Sequence, residues 1–166
     1  AVQGIRLVSQ NNVQWYDTDG TTVVKQGWYL DLKVTGASPT YSGEMMINPM
    51  AARGNVLLLN TLTPNQDPCK DGVDSWLYGL DATTGGRTRF NVFDLNGSKT
   101  VNALDSVKRL GDDTVVTSYK KPGSGGFTTN TGEIFTAPSQ GSGMKYDTDS
   151  TSKGRQSWRI IPEEAQ

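Results

Sequence analysis

Short strand-like runs, each ended by a cluster of turn-forming residues, limit the folds open to this chain more than any other feature. Gly, Asn, Asp and Pro separate the runs, and these residues favour turns because they accept positive φ or preset φ. Strands that return every ~8–12 residues are typical of antiparallel sheets in sandwiches, barrels or propellers. The predicted strands of the first half are Ile5–Ser9, Val13–Tyr16, Thr22–Lys25, Gly27–Leu32, Glu44–Asn48, Asn55–Leu62, Ser75–Asp81 and Thr88–Phe93.

Two of these runs predict how the sheets are covered. In Gly27–Leu32, the apolar residues Trp28, Leu30 and Leu32 alternate with more polar neighbours, which indicates one buried face and one exposed face. The run Val56–Leu59 is apolar without interruption, which fits a strand covered on both faces. The sequence therefore predicts packed layers rather than a single solvated sheet.

The second half of the chain has weaker strand signals and one helical signal. Ala103–Leu110 is predicted to form a short turn of helix. Residues 1–162 are predicted to form one set of antiparallel sheets with long loops and little helix, and residues 163–166 a disordered tail. The weaker predicted strands are Thr114–Tyr119, Glu133–Thr136 and Arg155–Ile161.

Composition excludes several classes of function. The net charge of −1 provides no basic excess for a phosphate backbone, so nucleic acid is not an expected partner. No run of about 18 apolar residues occurs, so no membrane span is expected. Histidine is absent, which removes the commonest general base, and we expect no enzyme. The single cysteine, Cys69, is predicted to be either a small buried thiol or the partner of a cysteine outside this chain.

An ordered set of short motifs resembles the C-terminal region of the PilC/PilY family of type IV pilus proteins. Each motif alone is weak, but their order and spacing over about 130 residues make the set specific. The motifs are Gly27–Leu32, Asn48-Pro49, Thr61–Asn65, Asp67–Cys69, Ser75–Leu77, Leu80–Gly85, Phe93–Gly97 and Gly154–Arg159.

The resemblance implies a fold, a location and a set of partners. The C-terminal region of that family is a β-propeller with calcium sites, so this chain would form blades of a partial propeller. Family members are surface or pilus-tip factors that support pilus assembly and adhesion. The implied partners are the remainder of the propeller, pilus-tip minor pilins or copies of the chain itself. The chain begins at Ala1 without a leader, which predicts a piece of a longer protein.

One loop has the residue spacing of a calcium site. From Asp94 as the first position, oxygen-bearing side chains follow at positions 3, 5, 9 and 12 of an EF-hand-like pattern. Two departures weaken the pattern: Ser98 replaces the third acid, and Lys99 stands where a glycine would make the sharp turn. A plain polar turn is the alternative. The predicted calcium ligands are Asp94, Asn96, Ser98, Asn102 and Asp105.

Two other classes of protein stay open at this point. The stretch Leu80–Gly85 resembles the strand-ending turn of quinone-dependent dehydrogenase propellers, although Asp81 is better explained by hydrogen bonds to turn amides. A carbohydrate-binding β-sandwich is the other alternative, because mid-strand tryptophans can serve as sugar platforms. Core packing is the simpler explanation for Trp28, Trp76 and Trp158. The acidic pairs Asp17/Asp19 and Asp147/Asp149 are predicted to stabilise turns.

Overall fold

The computed structural model describes residues 4–9, 13–32, 43–64, 73–109, 112–121, 126–130, 132–136 and 144–148, and these form antiparallel β-structure. The one helical element of this part of the chain is a short 3₁₀ turn, Ala103–Asp105. The predicted fold class, antiparallel sheets with little helix, is confirmed. The strands are β1 Ile5–Arg6, β2 Met45–Met46, β3 Ala51–Arg53, β4 Val56–Pro64, β5 Val73–Asp81, β6 Val107–Arg109, β7 Asp112–Thr114, β8 Ser118–Lys121, β9 Phe127–Asn130, β10 Glu133–Thr136 and β11 Met144–Lys145.

The largest sheet has the strand order β1-β8-β5-β4-β2, and β3 also pairs with β4. Strands β2 and β3 therefore share one edge of β4, and all pairs in this sheet are antiparallel. Strands β11, β10 and β9 form a second sheet, and the short pair β6–β7 forms a third. Several small sheets, rather than one continuous sheet, follow from the frequent turn residues in the sequence.

The hairpin of β4 and β5 is the centre of the structure. Both strands have nine residues, and they pair in register from Val56 opposite Asp81 to Pro64 opposite Val73. Successive side chains of β4 point to opposite faces. Val56 and Leu58 belong to one buried cluster and Leu59 to another. The predicted strand with two covered faces is confirmed.

One face of the hairpin packs against the second half of the chain. Leu58, Leu77 and Val92 are each 0% exposed in this cluster. The rings of Phe93 and Tyr119 meet edge to face, with their centroids 5.1 Å apart. Burying a side chain of this size contributes about 1.5–3 kcal/mol, so this face supplies much of the stability of the fold.

The other face is covered by the 27–32 segment. The sequence predicts a strand here, but the segment does not form one. Its alternation is confirmed, because Trp28, Leu30 and Leu32 are half-buried against the cluster of Leu59, Tyr78 and Leu80 while Tyr29 and Asp31 are exposed. No ladder of backbone hydrogen bonds accompanies it within the described residues. A side-chain bond, from Trp28 Nε1 to the carbonyl of Ala82 at 3.2 Å, helps to hold it instead.

Four further predicted strands are wrong in whole or in part. Val13–Tyr16 and Thr22–Lys25 share only an isolated bridge, between Tyr16 and Val23, and Thr88–Phe93 makes only one, between Phe93 and Tyr146. Thr114–Tyr119 is divided between the end of β7 and the start of β8. These segments have strand-like sequences, but the partner strand that a ladder needs is supplied by tertiary structure. Cys69, the strand predicted around Trp158 and the tail at 163–166 lie outside the described residues.

The turn after β5 predicts a strong effect of one glycine. Gly85 has φ +66°, and a Cβ placed there would lie 2.2 Å from the indole of Trp28. We expect Gly85→Ala to lower the free energy of unfolding by about 2–4 kcal/mol, because backbone strain and overpacking add. Gly20→Ala is the matched control, since Gly20 has φ +71° with no atom within 4 Å. Urea unfolding at equal m-value measures both, and equal losses in the two variants would contradict the packing role of Gly85.

Candidate functional site

The predicted calcium ligands lie together on one loop that follows a buried segment. Phe93 is 1% exposed and bridges Tyr146, and the N–H of Asp94 donates to the carbonyl of Lys145 at 3.0 Å. Asp94 and Asp105 are themselves 5% and 2% exposed, which is unusual for carboxylates. The loop is therefore fixed at its start by the second sheet and turned inward at both acids.

Asp94 uses its carboxylate to fold the first half of the loop. Oδ1 accepts the N–H groups of Gly97 at 2.8 Å and Ser98 at 3.0 Å. Oδ2 accepts the N–H of Lys99 at 2.7 Å. Three consecutive amides thus point at one buried carboxylate, which supplies the partners that these N–H groups need.

Asp105 joins the first residues of the loop to its second half. Its Oδ1 accepts from the N–H of Leu95 at 2.9 Å and of Asn96 at 3.2 Å. Its Oδ2 accepts from the N–H of Asn102 at 2.9 Å, while Asn102 Oδ1 accepts from Leu104 N–H at 2.8 Å. Asn102 and Asp105 form a capping box on the 3₁₀ turn. The two acids therefore bond to different parts of the same loop, Asp94 to its centre and Asp105 to its start and its end.

The two remaining predicted ligands also bond within the loop. Asn96 Oδ1 accepts the N–H of Ser98 at 2.8 Å, and Ser98 Oγ donates to the carbonyl of Thr100 at 2.9 Å. Lys99 has φ +67°, the left-handed conformation that its EF-hand-like position requires and that glycine adopts without strain. Sequence reasoning located this turn correctly, including the residue under strain.

The donor set fits calcium in kind, since every group is an oxygen. Within the described residues, Asp94 Oδ2 and Asp105 Oδ2 each accept a single N–H, so each keeps capacity for another partner. In the same part of the chain, no three Asp, Glu, His or Cys side chains group closely enough to hold a metal. Calcium at these residues stays a prediction, and it would need Ser98, Asn96 and carbonyl oxygens beside the two acids.

The other acidic motifs form turns, as predicted. Asp81 Oδ1 accepts the N–H of Thr83 at 2.8 Å and of Thr84 at 3.1 Å. Asp19 Oδ1 accepts the N–H groups of Thr21 and Thr22, each at 2.8 Å. Asp149 lies outside the described residues. The Asp81 turn therefore has a structural explanation that needs no quinone.

A buried ion pair that sequence reasoning missed joins β1, β4 and β5 of the large sheet to Glu44, the residue before β2. The Glu44 side chain is 0% exposed and pairs with Arg6 of β1. Arg6 also donates to Tyr78 Oη at 2.6 Å and lies 3.8 Å from the centre of the Trp76 ring. Tyr78 Oη and Thr61 Oγ1 both donate to Glu44. The partners are up to 72 residues apart, so no local pattern could have found them.

This cluster changes the acidity of its tyrosine. Burial, and then the negative charge of Glu44, raise the pKa of Tyr78 to about 12, against the opposing effect of Arg6. Burial also raises the pKa of Tyr119. Both hydroxyls are therefore held neutral in the folded protein through mildly alkaline conditions.

Comparisons with known proteins identify relatives of this sequence and of its fold. No family model matches the chain. PilY1 of Pseudomonas aeruginosa PAO1, a type IV pilus biogenesis factor, is 43% identical over 159 residues, which cover 95% of this chain and 13% of that protein. A PilY1 homolog of Xylella fastidiosa is 29% identical over 153 residues, covering 76% of the chain. The crystal structure of the P. aeruginosa PilY1 C-terminal domain superposes with a TM-score of 0.73 at 38% identity, over 87% of this chain and 28% of that one.

The fold and the loops together define the class of protein. It is an antiparallel β-module in which buried aspartates accept hydrogen bonds from the backbone of their own turns. The chain belongs to the PilC/PilY family, as a relative of its C-terminal region. This confirms the family indicated by the motifs, and it ties the sheets to the domain for which the resemblance implied a β-propeller. The chain spans about an eighth of the length of the curated relatives it matches.

The loop predicts a gain of calcium binding. The double substitution Ser98→Asp/Lys99→Gly supplies a third acid and a residue suited to φ +67°. We expect it to bind Ca²⁺ at least ~10-fold more tightly than the wild-type chain, because added carboxylates strengthen calcium sites. Calorimetry and the calcium-dependent shift in Tm measure this. Ser98→Ala/Lys99→Gly is the control, and it should gain only about 1 kcal/mol from relieved strain. A double variant that binds no more tightly than this control would rule out the loop as a calcium scaffold.

The buried tyrosine predicts alkaline destabilisation. The folded pKa of Tyr78, about 12, lies above its ordinary value of 10.0, so its contribution is complete below pH 10 and is lost as pH rises toward 12. The loss is on the order of 2 kcal/mol. Tyr78→Phe should flatten this part of the curve of unfolding free energy against pH, whereas Tyr16→Phe, at an exposed position, should leave it unchanged. Parallel curves for wild type and Tyr78→Phe would contradict the prediction.

Proposed function

We propose that this chain is a non-catalytic interaction module of a type IV pilus biogenesis factor, which supports pilus assembly and surface attachment from the pilus tip or bacterial surface. The observation that carries the proposal is the 43% identity to PilY1 over 95% of the chain. Because the chain spans 13% of that protein, the proposal concerns what a single module contributes and not the activity of the whole protein.

The use of the acidic residues supports a non-catalytic role. Asp81, Asp94 and Asp105 bond turn amides, and Glu44 neutralises Arg6 inside the sheet. A general acid or base needs a carboxylate that can reach a substrate proton. These four carboxylates are instead engaged by the fold itself.

No helix within the described residues is long and apolar enough to cross a membrane.

An apolar edge of the large sheet supports docking on another protein. Strand β2 is the last strand in the sheet order, so its outer side has no strand partner within the described residues. Met45, Met46, Ile47 and Met50 on this edge are 43–59% exposed. Methionine side chains adapt to varied partner surfaces, and free edges accept added strands. We call residues 45–50 the methionine edge.

The occupants proposed for the methionine edge are a pilus-tip minor pilin and, in the isolated chain, a second copy. Both would cover the same apolar side chains and the same backbone edge. Exposed sheet edges are the usual route of such pairing, and an isolated module retains this edge.

The methionine edge predicts a separable loss of function. Met45→Lys/Ile47→Lys, introduced into the full-length protein in a piliated bacterium, should reduce pilus number and surface attachment several-fold, because charged edge residues block strand addition. Leu104→Lys is the control, as Leu104 is 82% exposed on the 3₁₀ turn. In sedimentation velocity, the purified wild-type chain should associate with rising concentration and the double variant should stay monomeric. Unchanged piliation and attachment in the double variant would refute docking at this edge, and a wild-type monomer at all concentrations would refute self-association.

A further inference from the structure

An open groove of about 470 Å³ lies between the 13–30 segment and the turn after β5. It is separate from the methionine edge and from the Asp94–Asp105 loop, since none of their residues lines it. Its volume is in the range of small-molecule sites, ~300–1,000 Å³. The lining includes Val13, Gln14, Lys25, Trp28, Tyr29 and Thr84.

The groove has a fixed aromatic wall. The indole of Trp28 lies against the backbone of Gly85, so closely that a Cβ on Gly85 would stand 2.2 Å from two ring atoms. Its Nε1–H donates to the carbonyl of Ala82 at 3.2 Å. The ring is thus held in one orientation by packing and by a hydrogen bond, and binding a ligand would not require it to be ordered first.

Beside this wall, Tyr29 is 87% exposed. A tyrosine left almost wholly in water contributes little to the core, yet it offers a rigid ring and a hydroxyl to a ligand. The tyrosine and the tryptophan are adjacent in sequence and both line the groove. Two rings on one small groove suit a flat ligand with apolar faces and polar edges.

The charges of the groove select an anion. Among the described residues of the lining, Lys25 is the cation and no Asp or Glu is present. Among the described residues, no carboxylate forms an ion pair with Lys25. Ser9, Gln14 and Thr84 add donors and acceptors to the lining. An acidic ligand that also carries hydroxyl groups would satisfy both sets of residues.

We propose that this groove binds a carboxylate-bearing pyranose, such as a uronic acid unit of an acidic glycan. The apolar C–H face of the sugar ring stacks on Trp28 or Tyr29, and its carboxylate pairs with Lys25. The hydroxyl groups bond to Gln14 and Thr84. This binding does not depend on the pilus role, because it is a property of the purified chain.

The test uses the purified chain, trigalacturonic acid as the acidic probe and maltotriose as the neutral one. We expect measurable binding of the acidic trisaccharide by calorimetry at low salt, with weaker binding of the neutral one. Lys25→Gln should weaken binding of the acidic trisaccharide about three- to fivefold and leave the neutral one unchanged, since one charge pair is lost. Tyr29→Ala should weaken both about fivefold, because it removes a stacking ring.

Matched controls separate the groove from general effects. Lys120→Gln removes a lysine that pairs with Asp74 on the sheet, and Tyr16→Ala removes an exposed ring outside the groove lining. Both should bind the acidic trisaccharide like the wild type. Absence of binding at millimolar concentration, or equal losses in the control and groove variants, would overturn the proposal. A glutamate trimer bound as tightly as the acidic trisaccharide would also overturn it, because the groove would then recognise charge alone.

Discussion

The antiparallel ladder between β4 and β5 is the interaction on which the rest of the structure depends. Each strand is nine residues long, and both faces of the pair are covered. Backbone groups buried on both sides must bond to each other, because water cannot reach them. The other strands of the large sheet extend this ladder at its edges, and the two buried clusters pack on its faces.

The polar groups inside this frame direct its assembly more than they stabilise it. Glu44 and Arg6 pair across the sheet, and removing charges from water offsets much of what their attraction contributes. The pair instead specifies how the strands are arranged, because Glu44 must meet Arg6, Thr61 and Tyr78 together. A displaced register would leave a buried carboxylate without partners, which is costly. We infer that the pair helps to select one packing of β1 and the 43–46 segment over others.

The Asp94–Asp105 loop follows the same logic on a smaller scale. Its acids are buried because each gathers three backbone N–H groups that the loop would otherwise leave unpaired. The EF-hand-like spacing is therefore compatible with two uses of the same loop geometry. In one, the side-chain oxygens bind calcium; in the other, they accept hydrogen bonds from the loop itself. The acids that fold the chain are thus distinct from the surfaces that we propose for partners, which are the methionine edge and the groove beside Trp28.

The sequence by itself determined the class of fold, the family and the centre of the hairpin. Apolar runs and turn residues are local signals, and Val56–Leu59 and Ser75–Asp81 carry them clearly. It also placed the Asp94–Asp105 turn and the strained Lys99, because spacing along the chain sets which groups a short loop can bring together.

Only the tertiary structure decided which runs became strands and which buried charges met. Gly27–Leu32 has the alternation of a strand, yet it lies on the sheet without joining a ladder, because side chains rather than backbone hold it there. Arg6 and Glu44 are 38 residues apart, and Trp28 meets Gly85 across an even longer stretch of sequence. Such contacts depend on how separate elements pack, and local sequence carries no record of that.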